Sequence, residues 1–161
     1  MMGVYIMYDK KFLLREYEVK DSKELFEFFS KCLPQSGRVF DPNGIHSNLL
    51  HVEKSYDYFI CLFEEGTKEI IGTSALKKID KIKCELKCVY LDQEYYGKGL
   101  GTRMCKKVID VAKEQGYKEI YLDTISKTSG RAIKMYKRLG FIRTEKYNES
   151  LRSDVFMKLI L

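Results

Sequence analysis

The strongest chemical signal in the chain is the stretch Tyr96-Gly97-Lys98-Gly99-Leu100-Gly101-Thr102. Its three glycines alternate between an extended apolar run, Leu86 to Leu91, and a helical pattern in which Leu100, Met104, Val108, Val111 and Ala112 recur at spacings of three and four. A strand therefore hands over to a helix through a segment in which alternate residues lack a Cβ. Glycine reaches positive φ and lets the backbone approach a ligand closely. A helix N-terminus offers unpaired N–H groups and the positive end of a dipole. Together these suit a phosphate, with Lys98 adding charge. The spacing excludes two common phosphate binders. A Walker A loop needs four residues between its glycines and then Gly-Lys-Ser/Thr, and the dinucleotide fingerprint Gly-x-Gly-x-x-Gly meets Thr102 at its third glycine. A plain tight turn is the simpler account of such glycines, and the strong helix behind them is what favours phosphate.

Other chemistry-bearing residues have structural accounts of equal standing. Glu85 lies two residues before Lys87, the spacing of a same-face salt pair on a strand. Ala132, Met135, Tyr136 and Leu139 form an i, i+3, i+4, i+7 stripe that by itself describes core packing. His46 and His51 are five apart, whereas helical neighbours sharing a metal are four apart, so they read as surface or pocket-lining residues. The five cysteines (32, 61, 84, 88 and 105) sit mostly within apolar patterns and read as buried, reduced thiols. Cys84 and Cys88 fall on one strand face without a second Cys or His pair, which disfavours zinc. Tyr147 and Asn148 either border a substrate pocket or occupy a solvated loop, the latter being the simpler account.

The elements that must position these residues follow from periodicity. Residues 1–11 read as a ragged start and Phe12 to Val19 as a strand. Asp21, with Glu24 three residues on, opens a helix in capping-box fashion, and Pro34 ends it. Residues 34–44 hold both prolines and read as a loop, followed by a short helix around 45–53. Three strands, 58–63, 69–79 and 82–91, form an antiparallel meander that runs into the glycine loop. The helix behind the loop ends near Gly116. A strand (118–124), a helix (129–139, closed by Gly140), a strand (141–145) and a final strand (153–161) complete the order. With 161 residues and no linker, the chain reads as one α/β domain, 1–161, built around one sheet.

A net charge of +6, spread among 23 acidic residues, suits a polyanionic ligand such as a phosphorylated cofactor but forms no basic-aromatic stripe for nucleic acid. No apolar run reaches a membrane span and no signal-peptide core precedes a cleavage site, so the expectation is a cytoplasmic protein without membrane contact.

Two segments carry a resemblance. Residues 95–102 (YYGKGLGT) resemble the acyl-CoA pyrophosphate loop of the GNAT superfamily of N-acetyltransferases. Residues 131–141 (RAIKMYKRLGF) resemble that superfamily's A-I-x-x-Y-x-x-x-G-F segment. Separation and element order agree, and the resemblance is firm over roughly 57–145. It departs from the pattern at Tyr96, which holds a Gln/Arg place, and at Ser129, which holds an Asn place. The resemblance implies a mostly antiparallel twisted sheet of about seven strands flanked by about four helices. It implies acetyl-CoA as cofactor, with CoA as product. Val89 and Leu91 would pair with the pantetheine arm through their main chain. Tyr96, Gly97, Lys98, Gly99, Leu100, Gly101 and Thr102 would hold the pyrophosphate, and Ser129 would contribute a hydrogen bond or serve only as a helix cap.

The implied reaction is direct attack of a primary amine, on a small molecule or a protein, on the acetyl thioester in a ternary complex. A lysine-like amine has a pKa of ~10.4, so freeing it of its proton at pH 7 costs about 4–5 kcal/mol and a general base helps. Glu85 is the candidate base. Tyr136, by its match to the family tyrosine, is the candidate acid for the departing thiolate. A non-catalytic CoA-binding sensor of the same fold is the alternative, and a nucleotide-phosphate domain of unrelated fold a third reading. A homodimer paired through the C-terminal strands stays open.

Overall fold

The computed structural model describes the backbone of residues 6–9 and, in full, residues 11–161. Strands β1 (Ile6–Asp9), β2 (Phe12–Glu16), β3 (Tyr58–Glu64), β4 (Ile70–Lys78) and β5 (Lys83–Leu91) are successive antiparallel neighbours. β6 (Glu119–Thr124) then joins β5 in parallel, an arrangement that requires a crossover, which helix α3 (Leu100–Glu114) supplies. β7 (Ile142–Arg143) and β8 (Val155–Ile160) complete a sheet of order β1-β2-β3-β4-β5-β6-β8-β7. α1 (Ser22–Gln35) and the four-residue α2 (Val52–Ser55) pack on one face. α3 and α4 (Gly130–Arg138) pack on the other.

Each face has its own core, because the helices are amphipathic and the strands alternate. Leu100, Met104, Val108 and Ala112 of α3 and Ile133 and Tyr136 of α4 bury against Ile60, Leu62, Leu76, Leu86 and Ile120. Leu25, Phe29 and Leu33 of α1 bury against Phe59, Cys61 and Phe63. Gly72 lets α3 come close to the sheet, since an added Cβ would sit 2.8 Å from Met104 Sδ.

One defect organises the site. Between the pairs Thr73↔Tyr90 and Ala75↔Lys87 the register slips, so Cys88 and Val89 together oppose Ser74. Cys88 takes φ +54°, a left-handed conformation that costs an L-residue of order 1–2 kcal/mol. Buried Thr73 compensates by donating its hydroxyl to the Cys88 carbonyl at 2.7 Å. The bulge inverts the alternation. Cys84 and Leu86 face the α3 core, and after the slip Val89 and Leu91 do so, while Cys88 and Tyr90 face the α1 core. The two cysteines expected on one face therefore lie on opposite faces.

The same strand also parts from its neighbour. β5 pairs with β6 only from Lys83↔Glu119 to Glu85↔Tyr121, whereas β6 pairs with β8 over its whole length. Beyond Glu85 the sheet opens as a fork.

Several boundaries differ from the sequence reading. Within the expected ragged start, Ile6–Asp9 forms β1, because a short run gains its order by pairing with β2; residues 1–5 and 10 lie outside the described residues. Asp21 does not pair with Glu24: its carboxylate accepts two 2.7 Å bonds from Arg15 and the Glu18 N–H. The expected helix at 45–53 is a 3₁₀ turn, Ser47–Leu49, followed by α2, which leaves both histidines outside helix. The strand expected at 141–145 shrinks to Ile142–Arg143, since Phe141 is buried and its N–H closes the C-terminus of α4 on the Tyr136 carbonyl. All five cysteines are free, and only Cys88 is incompletely buried. No helix among the described residues is long and apolar enough to cross a membrane.

Candidate active site

The glycine loop is held at its root by α1. Asp92, almost wholly buried, accepts from Lys31 Nζ (2.8 Å), Gln35 Nε2 (3.2 Å) and the Glu94 N–H (3.1 Å), and thereby caps the 3₁₀ turn Gln93–Tyr95. Gln35 also accepts from the Gln93 N–H at 3.0 Å. Burial works against the Asp92 carboxylate, but Lys31 and these donors outweigh it and hold its pKa below the ordinary value. Tyr95 donates to Glu64 at 2.7 Å, which pushes its own pKa up to about 12. Beyond this root Gly97 (φ +81°) and Gly99 (φ +74°) turn the chain left-handed into α3. Gly101 meets α4, where an added Cβ would lie 3.3 Å from Met135 Sδ. Among the described residues the backbone N–H groups of residues 97–102 have no intrachain partner. They form a set of donors at the positive end of α3.

Those donors border a groove of about 410 Å³ between the loop and α4, lined also by Val89 and Leu91. Tyr96, Gly97, Gly99, Leu100, Gly101 and Thr102 all line it; Lys98 does not. Its charge comes instead from Arg131, Lys134 and Arg138, one basic face of α4 at spacings of three and four. Arg131 lies 4.6 Å above the ring of Tyr96, a cation–π contact. That spacing was visible in the sequence, but nothing local says that this face turns toward the loop. Ser129 is placed away from the groove. Its buried hydroxyl bonds to Thr124 (2.7 Å) and Arg38 (3.1 Å), and it makes no side-chain cap.

Main-chain direction at the fork follows from one bond. The Asp92 N–H donates to the Ile71 carbonyl, so by strand alternation the N–H and C=O groups of Leu91, and two residues back of Val89, point to the side that β6 has vacated.

The fork itself encloses about 200 Å³, lined by Leu86, Val89, Tyr90, Leu122, Asp123 and Tyr136 among others. Val89 thus borders both groove and fork. Tyr136 is buried, its ring edge-on to Phe141, and its hydroxyl has no hydrogen-bond partner among the described residues. Burial raises its pKa well above the ordinary phenol value, with the Arg38 charge pulling weakly the other way. The hydroxyl therefore stays protonated.

A third cavity of about 510 Å³ continues outward from the fork, sharing Arg38, His46, Lys87, Tyr90 and Asp123 with it. Glu85 opens only here, accepting from Tyr147 (2.8 Å) with Lys87 at 3.8 Å. The salt pair and the cleft position are thus both real. Asp123, bonded to Asn148, lines fork and outer cavity alike and is the carboxylate nearer Tyr136's cavity. Residues 147–148 lie in a loop as expected, but half-buried rather than solvated: Tyr147 packs on Tyr121 with ring centres 4.9 Å apart, and Asn148 lines the outer cavity.

The sequence profile of the Acetyltransferase (GNAT) family matches residues 20–141. The chain belongs to this family. An uncharacterized N-acetyltransferase of Dictyostelium discoideum is 38% identical over 80 residues, covering 48% of this chain and 37% of that protein. Human N-acetyltransferase 8B is 29% identical over 109 residues, 63% of this chain and 48% of that protein. The chain thus matches about half or less of these relatives' lengths. Among solved structures, a GNAT-family acetyltransferase from Staphylococcus aureus Mu50 superposes with a TM-score of 0.81 at 25% identity, over 91% of this chain and 97% of that one. PaiA N-acetyltransferase of Thermoplasma acidophilum, solved with coenzyme A, superposes at 0.73 and 21% identity over 93% and 99%. The family's sheet with flanking helices is therefore this chain's fold; one strand and the bulge are what the sequence reading lacked.

Proposed function

We propose that the protein is an acetyl-CoA-dependent N-acetyltransferase acting on a primary amine. The observation that carries this reading is the fork: unpartnered loop donors and a basic helix face on one side of Val89, a protonated tyrosine and a carboxylate on the other. Family membership and the coenzyme A held by the Thermoplasma protein support it. The donors of residues 97–102, the dipole of α3 and Arg131, Lys134 and Arg138 fit a pyrophosphate and a further phosphate. The outward main-chain groups of Val89 and Leu91 fit the amide-bearing arm as an added strand. Acetyl-CoA, when bound, supplies an acetyl thioester open to attack by a neutral amine.

The chain's own residues then manage two protons. Asp123 takes the amine's proton at the fork; Glu85, one cavity further out, relays it through water to solvent. Tyr136 donates its hydroxyl proton toward the departing sulfur. An aliphatic thiol has a pKa of ~8.5, so this donation accelerates departure without being indispensable. Asp123→Asn is therefore expected to lower kcat more than Glu85→Gln, and equal losses would remove the assignment of the nearer base.

Titration calorimetry with acetyl-CoA, desulfo-CoA and ATP, followed by an amine screen with thiol-release readout, tests the reading. Binding of acetyl-CoA but not ATP, with turnover, is expected. Binding without turnover of any amine would replace the enzyme by a CoA sensor, and no CoA binding would remove both.

A further inference from the structure

The outer cavity carries opposite charges on separate groups. Arg38 is half-buried and held by two hydroxyls, Ser36 (2.8 Å) and Ser129 (3.1 Å), contributed by chain segments far apart in sequence. Among the described residues neither Arg38 nor Arg152 forms an ion pair. Arg38, partly withdrawn from water without a counter-ion, is poised for an anion, and its planar fork matches a carboxylate; Arg152 is exposed and adds charge at the same cavity. His46 lines the same cavity. Its Nδ1 accepts from the Asp41 N–H at 3.0 Å, so the neutral ring carries its proton on Nε2 and is a donor there. Arg38 and Arg152 line the cavity with it, and burial first, then the Arg152 charge, with Arg38 adding to them against Asp41, holds its pKa below the ordinary value. Asp123 on β6 and Glu85 on β5 line the cavity as well, with Glu149 and with Lys87, whose charge is paired to Glu85 at 3.8 Å.

We propose that the acceptor is a zwitterion, an α-amino acid or a derivative that keeps its free carboxylate. The carboxylate binds Arg38, Arg152 and His46, and the amine lies toward Asp123 at the fork. This rests on the acetyl-transfer reading. The same groups disfavour two other acceptor classes: a polyamine meets two unpaired guanidiniums, and a dianionic phosphate meets three carboxylates, Glu85, Asp123 and Glu149.

The test uses the full chain, saturating acetyl-CoA and matched triplets: each amino acid, its carboxamide and its decarboxylated amine. Thiol release is expected to show kcat/KM at least about 100-fold higher for the responsive amino acid than for its two partners. Arg152→Gln, which leaves α4 untouched, is expected to raise the amino acid's KM roughly tenfold and to narrow that preference by the same factor. Arg38→Gln, checked for folding by thermal melting, is expected to do so more strongly. Equal or better turnover of carboxamides, decarboxylated amines or spermidine would overturn the proposal while leaving acetyl transfer standing. So would acetyl-CoA binding with no amino acid turned over and no N-acetyl amino acid bound to the CoA complex. Absence of acetyl-CoA binding would remove the underlying reading, and this inference with it.

Discussion

The two sides of the fork are built by different means. The groove beside the glycine loop is made from one continuous segment, residues 89–102, plus one face of α4, and its donors are mostly backbone. The proposed acceptor side is assembled from side chains of the loop after α1, of β5 and β6, and of the 146–152 connection. A backbone site depends on dihedral angles more than on side-chain identity, and at its edge Tyr96 stacks under Arg131. A side-chain site depends on which distant segments meet, and it changes chemistry with single substitutions. Cofactor binding and acceptor choice should therefore be separable by mutation.

The largest effect that separates them is expected from Tyr136→Phe. Loss of the donor should lower kcat by ~10²-fold, the low end of general-acid effects, because the thiolate leaves unaided at a finite rate. Acetyl-CoA affinity by calorimetry should hardly move; unchanged kcat would end the acid assignment. Gly99→Val attacks the other side. A β-branched residue at φ +74° costs of order 1–2 kcal/mol, so the loop should relax and scatter its donors, raising the acetyl-CoA Kd roughly tenfold. Retained affinity would show that the loop's conformation is not what binds.

Asp92→Ala tests the root of the loop without touching either cavity. Three hydrogen bonds and a buried ion-paired carboxylate go, so stability by urea unfolding should fall by about 1–3 kcal/mol, with a weaker acetyl-CoA Kd. The same carboxylate predicts a pH dependence. Its folded pKa lies below the unfolded value of about 3.9, so its stabilisation is present above that value and is lost as pH falls through the folded one. Wild type should lose stability steeply below about pH 4, and Asp92→Ala less so. The smallest effect is expected from Arg131→Ala. An exposed cation–π contact and a phosphate charge together should shift the Kd only a few-fold, more at low salt than at high.

The backbone side was largely legible in advance. A glycine loop between an apolar strand and an amphipathic helix is a local pattern, and the structure puts its backbone where the pattern asks. The acceptor side was not. Asp123, Arg38 and Arg152 carry no local signal, since each is one charged residue among many, and Ser129 was misplaced because its partners, Thr124 and Arg38, are known only once chain segments meet. Tyr147 and Asn148 are loop residues as read, but their burial was hidden because their contacts, Glu85 and Asp123, lie far away in sequence.

By itself the sequence determined the order of the main elements from β3 onward, the meander, the glycine loop and the capped ends of α3 and α4, all of which depend on periodicity and on backbone freedom within about a dozen residues. Tertiary structure decided the bulge at Cys88 and Val89, the early parting of β5 from β6 and the meeting of Arg38 with Ser129. A register slip is set by the neighbouring strand's hydrogen bonds, and no residue's own preference announces it: Cys88 is neither glycine nor asparagine, yet it holds φ +54° because Thr73 satisfies its carbonyl.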